Sequence, residues 1–476
     1  MLIAVGGRVL EPLGCLIILA FLSLAAQCQQ DGPTQKPIVQ VSSTETQGNG
    51  IPITPKPTTS AQEPVQSSGP KRHPDLPVLG YVTPWNSRGK QLVEDYREKF
   101  DLVSPVWYTV HADEAKPDEV YAVRGGPPAK EDEDWLVRLQ KPTSSSGAAK
   151  QPQVVPRFIL DGWNQENFQN LVFNETRWQL LSDVIMAVVA ERSFDGVVFE
   201  SGASYALGPP LTRLSEVLHA KDKLLILVMP PVRAPGDGMT DAHNSMILQP
   251  LAGLSHYVDY FSIMTYDMTG PGGRELNDGT GFPDESAIRR AISQGQAREP
   301  GPNTSADWVR DNLVAFVEAS AAGSMDPSQS PAGSSWASRK FLMGMPLYGY
   351  KYPVLFVDKT TGDLVKRPSE SADADEAMPI LRGAGEPVIM TEILDMIKEK
   401  KAQVLKSEAD GEYFFDYEKR PGTGCWRVYL PTSEGISHVF DTIKDVVDDD
   451  LEYAFGGAGV ALWEVGQSSN GLLASI

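Results

Sequence analysis

Short apolar runs recur along the chain at Pro77–Val82, Leu102–Val110, Val154–Leu160, Phe194–Phe199, Leu224–Met229, Tyr260–Tyr266, Phe341–Tyr348 and Gly459–Trp463. Most are nearly continuously apolar, the pattern of strands buried on both faces in a parallel sheet covered by helices. Amphipathic stretches lie between them. In Trp178–Arg192, Leu180, Leu181, Val184, Ile185, Val188 and Val189 fall on one helical stripe. Eight strands alternating with helices over roughly 400 residues predict a (β/α)8 TIM barrel. A doubly wound open sheet is the alternative, but no GxGxxG or Walker-type run supports a nucleotide-binding version.

Two gaps are longer than a helix needs. About 75 residues separate the sixth and seventh runs, including a Gly/Ser/Pro-rich stretch at Ala322–Ser335, and about 110 separate the seventh and eighth, including an acidic stretch at Ser369–Glu376. Long insertions after barrel strands lie at the strands' C-terminal face, where ligands bind. At the N-terminus, Arg8 precedes an apolar run, Leu13–Ala26, that leads into polar Gln27–Gln30. The run is short for a membrane span and reads as the core of a signal peptide covering residues 1–28, with a membrane anchor as the alternative. Residues 29–72 are rich in Pro, Ser, Thr and Gln and read as a linker; residues 73–476 are the folded part.

Charge and cysteine usage narrow the function classes. With 42 Lys and Arg against 62 Asp and Glu, the formal net charge is −20, which disfavours nucleic acid and anionic membrane as partners. Of three cysteines, Cys15 and Cys28 lie in or beside the signal segment, leaving Cys425 and no expected internal disulfide. The six histidines are scattered without zinc spacing, so neither a metal nor a cofactor is expected.

Barrel chemistry sits at the C-terminal ends of strands. Those ends include Tyr81–Trp85, Pro105–Trp107, Asp161–Trp163, Met264–Asp267, Met345–Gly349 and Trp463–Glu464. Aromatic faces that stack on sugar C–H faces, beside carboxylates that bind hydroxyls, suit a saccharide cleft. Core packing is the alternative for any one of them.

Here the motifs resemble a known family. Phe194-Asp195-Gly196-Val197-Val198-Phe199-Glu200 resembles the fourth-strand signature of glycoside hydrolase family 18, the chitinases. Val258–Asp267 resembles its sixth strand, Lys340–Tyr350 its seventh and Gly457–Gln467 its eighth, and the likeness runs from about Leu76 to Gln467. The family signature is Asp-Gly-x-Asp-x-Asp-x-Glu, whose last Glu protonates the glycosidic oxygen. Counted from Asp195, its acidic positions fall on Val198, Glu200 and Gly202. Glu200 keeps the inward parity of the strand but lies roughly 6–7 Å short of the acid's place. Gly202 offers no proton.

The resemblance therefore implies a catalytic acid lost and a carbohydrate-binding function retained for GlcNAc-containing, chitin-type oligosaccharides or glycoconjugates. It implies Trp463 as the aromatic floor of the central subsite, with Tyr266 and Asp267 contacting the sugar's acetamide; Tyr81 and Trp163 are weaker binding candidates. A weakly active hydrolase using Glu200 or Glu464 at the rim is a second reading, and a protein-interaction scaffold a third. Among Val197, Val198 and Phe199, Glu200 is expected to be desolvated and neutral. Within the family the likeness is to chitinase-like proteins of the stabilin-interacting type, implying a scavenger-type sorting receptor as partner and secretion or an endolysosomal lumen. Two N-glycosylation sequons, Asn174-Glu175-Thr176 and Asn303-Thr304-Ser305, fit that route, with Asn303 the preferred acceptor.

Overall fold

The computed structural model describes residues 69–476 except 117–119, 142–150, 237, 273–275, 277–283, 322–337, 368–376, 408–410, 419–424 and 447–454, together with an N-terminal pair of short antiparallel strands at Ile3–Val5 and Arg8–Leu10. The expected signal core, Cys15, Cys28, the linker up to residue 68 and the acidic stretch at 369–376 lie outside the described residues. So does the Gly/Ser/Pro-rich stretch at 322–335. Among the described residues no helix is long and apolar enough to cross a membrane.

All eight apolar runs form barrel strands. They are β1 (Val78–Val82), β2 (Leu102–Pro105) with β3 (Tyr108–Ala112), β5 (Gln153–Val154) with β6 (Arg157–Leu160), β7 (Gly196–Glu200), β8 (Leu224–Met229), β9 (Tyr260–Ile263), β10 (Phe341–Pro346) and β18 (Gly459–Trp463). The second and third runs are each broken in two. β1 pairs with β2 and β2 with β5, whereas β3 pairs with β6, so these two walls close the barrel in two offset steps. Every barrel pairing is parallel. On the outside, β4 (Tyr121–Gly125) pairs antiparallel with β3.

Parity divides the buried side chains of the barrel strands into two cores, as a pleated strand requires. Leu79, Tyr81, Leu102, Val155, Val198, Ile226, Val228, Leu342, Ala461 and Trp463 belong to one cluster, which fills the barrel. Their sequence neighbours Val78, Val82, Phe158, Val197, Phe199, Leu225, Leu227 and Leu462 belong to the layer beneath the helices. At Gly196 a Cβ would sit 2.4 Å from the Leu224 carbonyl oxygen, so the close approach of β7 and β8 requires glycine there. The preceding Asp195 is structural: its Oδ2 accepts the Val154 N–H at 2.7 Å and fixes the start of the third wall.

The outer ring includes α1 (Arg88–Asp95), α2 (Lys130–Leu139), α3 (Gln165–Phe173), α4 (Glu175–Arg192) and α5 (Gly208–His219). In α4, Leu181, Ile185 and Val189 of the expected stripe are buried. The insertion between β10 and β18 is a small antiparallel domain. Its central strand β11 (Tyr348–Asp358) pairs with β12 (Leu364–Val365), β13 (Ala377–Leu381), β14 (Glu386–Ile389) and β17 (Cys425–Leu430). Beyond β17, β16 (Tyr413–Glu418) and β15 (Leu405–Lys406) complete the sheet. The sequence showed this region only as a long insertion. Cys425 is a free, buried thiol pushed up to about 12 by that burial, and it donates to the Tyr417 carbonyl.

Candidate functional site

At the C-terminal end of β18, Trp463 lies 9% exposed at the top of the barrel core. Tyr266 stacks on it with ring centres 6.3 Å apart and planes at 13°, and Tyr81 meets its edge at 5.2 Å. The Arg157 guanidinium lies 5.9 Å from the Trp463 ring centre. The structure thus brings Trp463 and Tyr266 together. Tyr81 takes a different place: it is 3% exposed and donates to Ser262 Oγ at 2.9 Å. It supports the Trp463 ring from within the barrel rather than facing a ligand.

Glu200 is the last residue of β7, and Arg157 reaches it from β6, Nη1 to Oε2 at 2.9 Å, with side-chain exposures of 15% and 22%. The surroundings of Glu200 are therefore not only the apolar side chains of Val197, Val198 and Phe199. The guanidinium that reaches it belongs to a residue hidden inside an apolar run of the sequence. Immediately after Glu200 the chain turns. Ser201 N donates to Ser204 Oγ at 3.0 Å, Ser204 Oγ donates to the Ser201 carbonyl at 3.1 Å, and Ala203 N donates to Ser201 Oγ at 3.1 Å. Gly202 is therefore an exposed turn residue and not a continuation of the strand.

Asp267 sits in the left-handed region, φ 57°, where aspartate is among the better-tolerated residues. Its Oδ1 accepts from the phenols of Tyr348 and Tyr350, the second at 3.0 Å. Burial, reinforced by the Asp267 charge, pushes both phenols above their ordinary range, so they stay protonated and donate. The insertion strand β11 thereby fixes the carboxylate beside Tyr266. Neither tyrosine was singled out from the sequence, although both belong to the seventh-run motif.

Three other expectations are corrected. Trp163 is 4% exposed, stacks on Tyr121 at 5.2 Å and donates its indole N–H to the Val110 carbonyl at 2.8 Å. It belongs to the helix-facing layer, not to the Trp463 group. Glu464 is 1% exposed rather than at the rim: Oε1 accepts from Asn86 Nδ2 at 3.1 Å and Oε2 from Gly466 N at 3.0 Å, capping a 3-10 turn. Asn303 is 5% exposed; its Oδ1 accepts from Asp267 N at 2.7 Å and its Nδ2 donates to the Tyr348 carbonyl at 3.1 Å. A glycan on that nitrogen would break the clasp holding Asp267. Asn174, by contrast, is exposed.

One strand-end aromatic given no role from the sequence stands out. Trp85, just past β1, is 50% exposed, and the next residue, Asn86, is tied to Glu464. Among the described residues no group of three or more His, Cys, Asp or Glu is placed to hold a metal ion.

Burial pushes the Glu464 carboxyl up to about 7, against hydrogen bonds that favour its charge. A carboxyl raised in the fold binds protons more tightly there than in the unfolded chain, so its contribution is full at low pH and is lost as pH rises through the folded value. Stability is expected to fall by up to about 3 kcal/mol from pH ~4.5 to pH ~7.5, and this slope should flatten in Glu464→Gln. Thermal unfolding of both proteins across that range checks it; equal slopes would contradict it.

The chain matches Glycosyl hydrolases family 18 over residues 78–467 and belongs to that family. The fold is similar to that of a chitinase from Chromobacterium violaceum, 19% identical, TM-score 0.55, covering 84% of this chain and 97% of that one. A putative chitinase domain from Desulfitobacterium hafniense is 17% identical, TM-score 0.54, over 84% and 98% of the two chains. The Bacillus megaterium spore cortex-lytic enzyme SleL is 15% identical, TM-score 0.52, over 84% and 72%.

Proposed function

We propose that this family 18 member is a secreted or endolysosomal lectin that binds GlcNAc-containing, chitin-type oligosaccharides at the barrel mouth without cleaving them. The observation that carries this reading is the end of β7. The family's acid position falls on an exposed turn glycine, and the nearest carboxylate, Glu200, is held by Arg157. Arg157 Nη1 occupies Glu200 Oε2 in that pair, so the carboxylate is tied to the neighbouring strand of the barrel wall. Substrate-assisted hydrolysis leaves the protein one essential acid to supply, so its loss removes the main protein-borne chemistry, worth about 10²–10⁴-fold. The aromatic shelf of Trp463 and Tyr266, with Asp267 beside it, needs no acid in order to bind. Capture by a scavenger-type sorting receptor would belong to the same route.

The expected result is no product from chito-oligosaccharides at any pH between about 3 and 8. Turnover that disappears in Glu200→Gln would reassign the acid to Glu200 and make the protein a hydrolase.

A further inference from the structure

We propose that the groove between α4 and α5 is the seat of an N-linked glycan on Asn174, whose first sugars pack on Tyr257 and Trp178 and brace the two helices. The inference rests on the secretory reading above. It concerns the outer helical face, away from the barrel mouth.

Asn174 caps the N-terminus of α4, its Oδ1 accepting from Thr176 N at 3.1 Å. Its side chain is exposed, and among the described residues none accepts from Nδ2, the atom a glycan would occupy. The very next residue, Glu175, lines a groove of about 600 Å³ that is also lined by Trp178, Gln179, Arg213, Glu216 and Tyr257. That volume suits a small-molecule ligand. Trp178 stands four residues beyond Asn174, one turn further along the same helix face. Its indole N–H is spent on the Leu171 carbonyl at 2.7 Å, which leaves the ring itself as the contact surface. At the far end Tyr257 is 39% exposed, and among the described residues it stacks on no other ring.

Between the two rings runs a polar floor. Arg213 donates from Nε to Gln179 Oε1 at 2.7 Å and from Nη1 to Glu216 Oε2 at 2.8 Å. The groove thus offers aromatic faces for sugar C–H groups, with carboxylate, amide and guanidinium groups for hydroxyls and acetamides. A free sugar would have to bind it from dilute solution. A glycan attached at the groove's edge is present at an effective concentration near the millimolar range, so modest contacts suffice to fill the groove.

The test uses the full chain secreted from a glycosylating host. Glycopeptide mass spectrometry should find Asn174 modified and Asn303 unmodified. Thr176→Ala removes the sequon yet keeps Asn174 as the helix cap. Tyr257→Ala is then measured in both backgrounds, since the Tyr257 contact with Ser215 uses only its carbonyl. The proposal expects Tyr257→Ala to lower Tm by about 1–2 °C more in the glycosylated protein than in Thr176→Ala. It also expects native removal of the glycan by an endoglycosidase to be several-fold faster in Tyr257→Ala. Equal Tm losses and equal removal rates on a glycosylated protein would overturn the groove assignment and leave the secretory reading intact. An unmodified Asn174 in a chain carried through the secretory route would overturn the assignment at its premise.

Discussion

Trp463→Ala is expected to weaken oligosaccharide binding by several-fold to tenfold and to cost the barrel about 3–5 kcal/mol of stability. The first effect follows from losing the aromatic face, stacked with Tyr266, that the proposed binding mode offers to a sugar. The second follows from burial: the ring is 9% exposed and touches Tyr81, Tyr266 and Arg157, so its removal opens a cavity in the barrel top. Trp463→Phe separates the two effects, because it keeps an aromatic plane and most of the volume. It should fold with a smaller loss and bind with intermediate affinity. Calorimetric titration beside thermal unfolding reads both. Unchanged affinity in a folded Trp463→Ala would move the site elsewhere in the molecule.

The barrel was legible because its strands are buried on both faces, which writes them as continuous apolar runs such as Leu224–Met229. The insertion domain was not legible by the same signal. Its strands, such as Tyr413–Glu418, mix aromatic and charged residues, because one side chain packs inward while its neighbour takes part in ion pairs such as Arg427 with Asp416. Site residues were legible where strand parity decides direction. Trp463 and Glu200 follow the inward positions Ala461 and Val198, and both reach the mouth. Beyond a strand's last residue parity lapses, and side-chain direction then depends on the turn. Trp163 and Glu464 both lie past strand ends, and both turn into the layer under the helices. Arg157 was hidden for another reason. A lone cation within Val154–Leu160 has no signal of its own until β6 pairs with β7 and brings Glu200 within reach.

Gly202→Glu is expected to leave the protein without measurable turnover, short of the 10²–10⁴-fold that a well-placed general acid contributes. The reason lies in the backbone. The Ser201–Ser204 turn takes residue 202 off the strand, so a carboxylate added there points where the turn sends it. Two further features of β7 underlie this expectation. Val198, fully buried, stands where the resembled signature has a carboxylate, and Arg157 ties down the Glu200 side chain. A functional acid has to be held within about 0.5 Å by a supporting shell, which one substitution in the turn does not supply. Val198→Asp combined with Gly202→Glu, assayed beside the single variant on a fluorogenic chitobioside, locates the defect. Clear activity in the single variant would mean that only one residue had been lost.

The most direct test of the central claim, binding without cleavage, is a calorimetric titration of the purified protein with chito-oligosaccharides of increasing length, the same sample afterwards analysed for reducing ends. The account predicts saturable binding, weakened in Trp463→Ala, with the oligosaccharides recovered intact. Shortened oligosaccharides in that sample, or no heat of binding at any length, would contradict it.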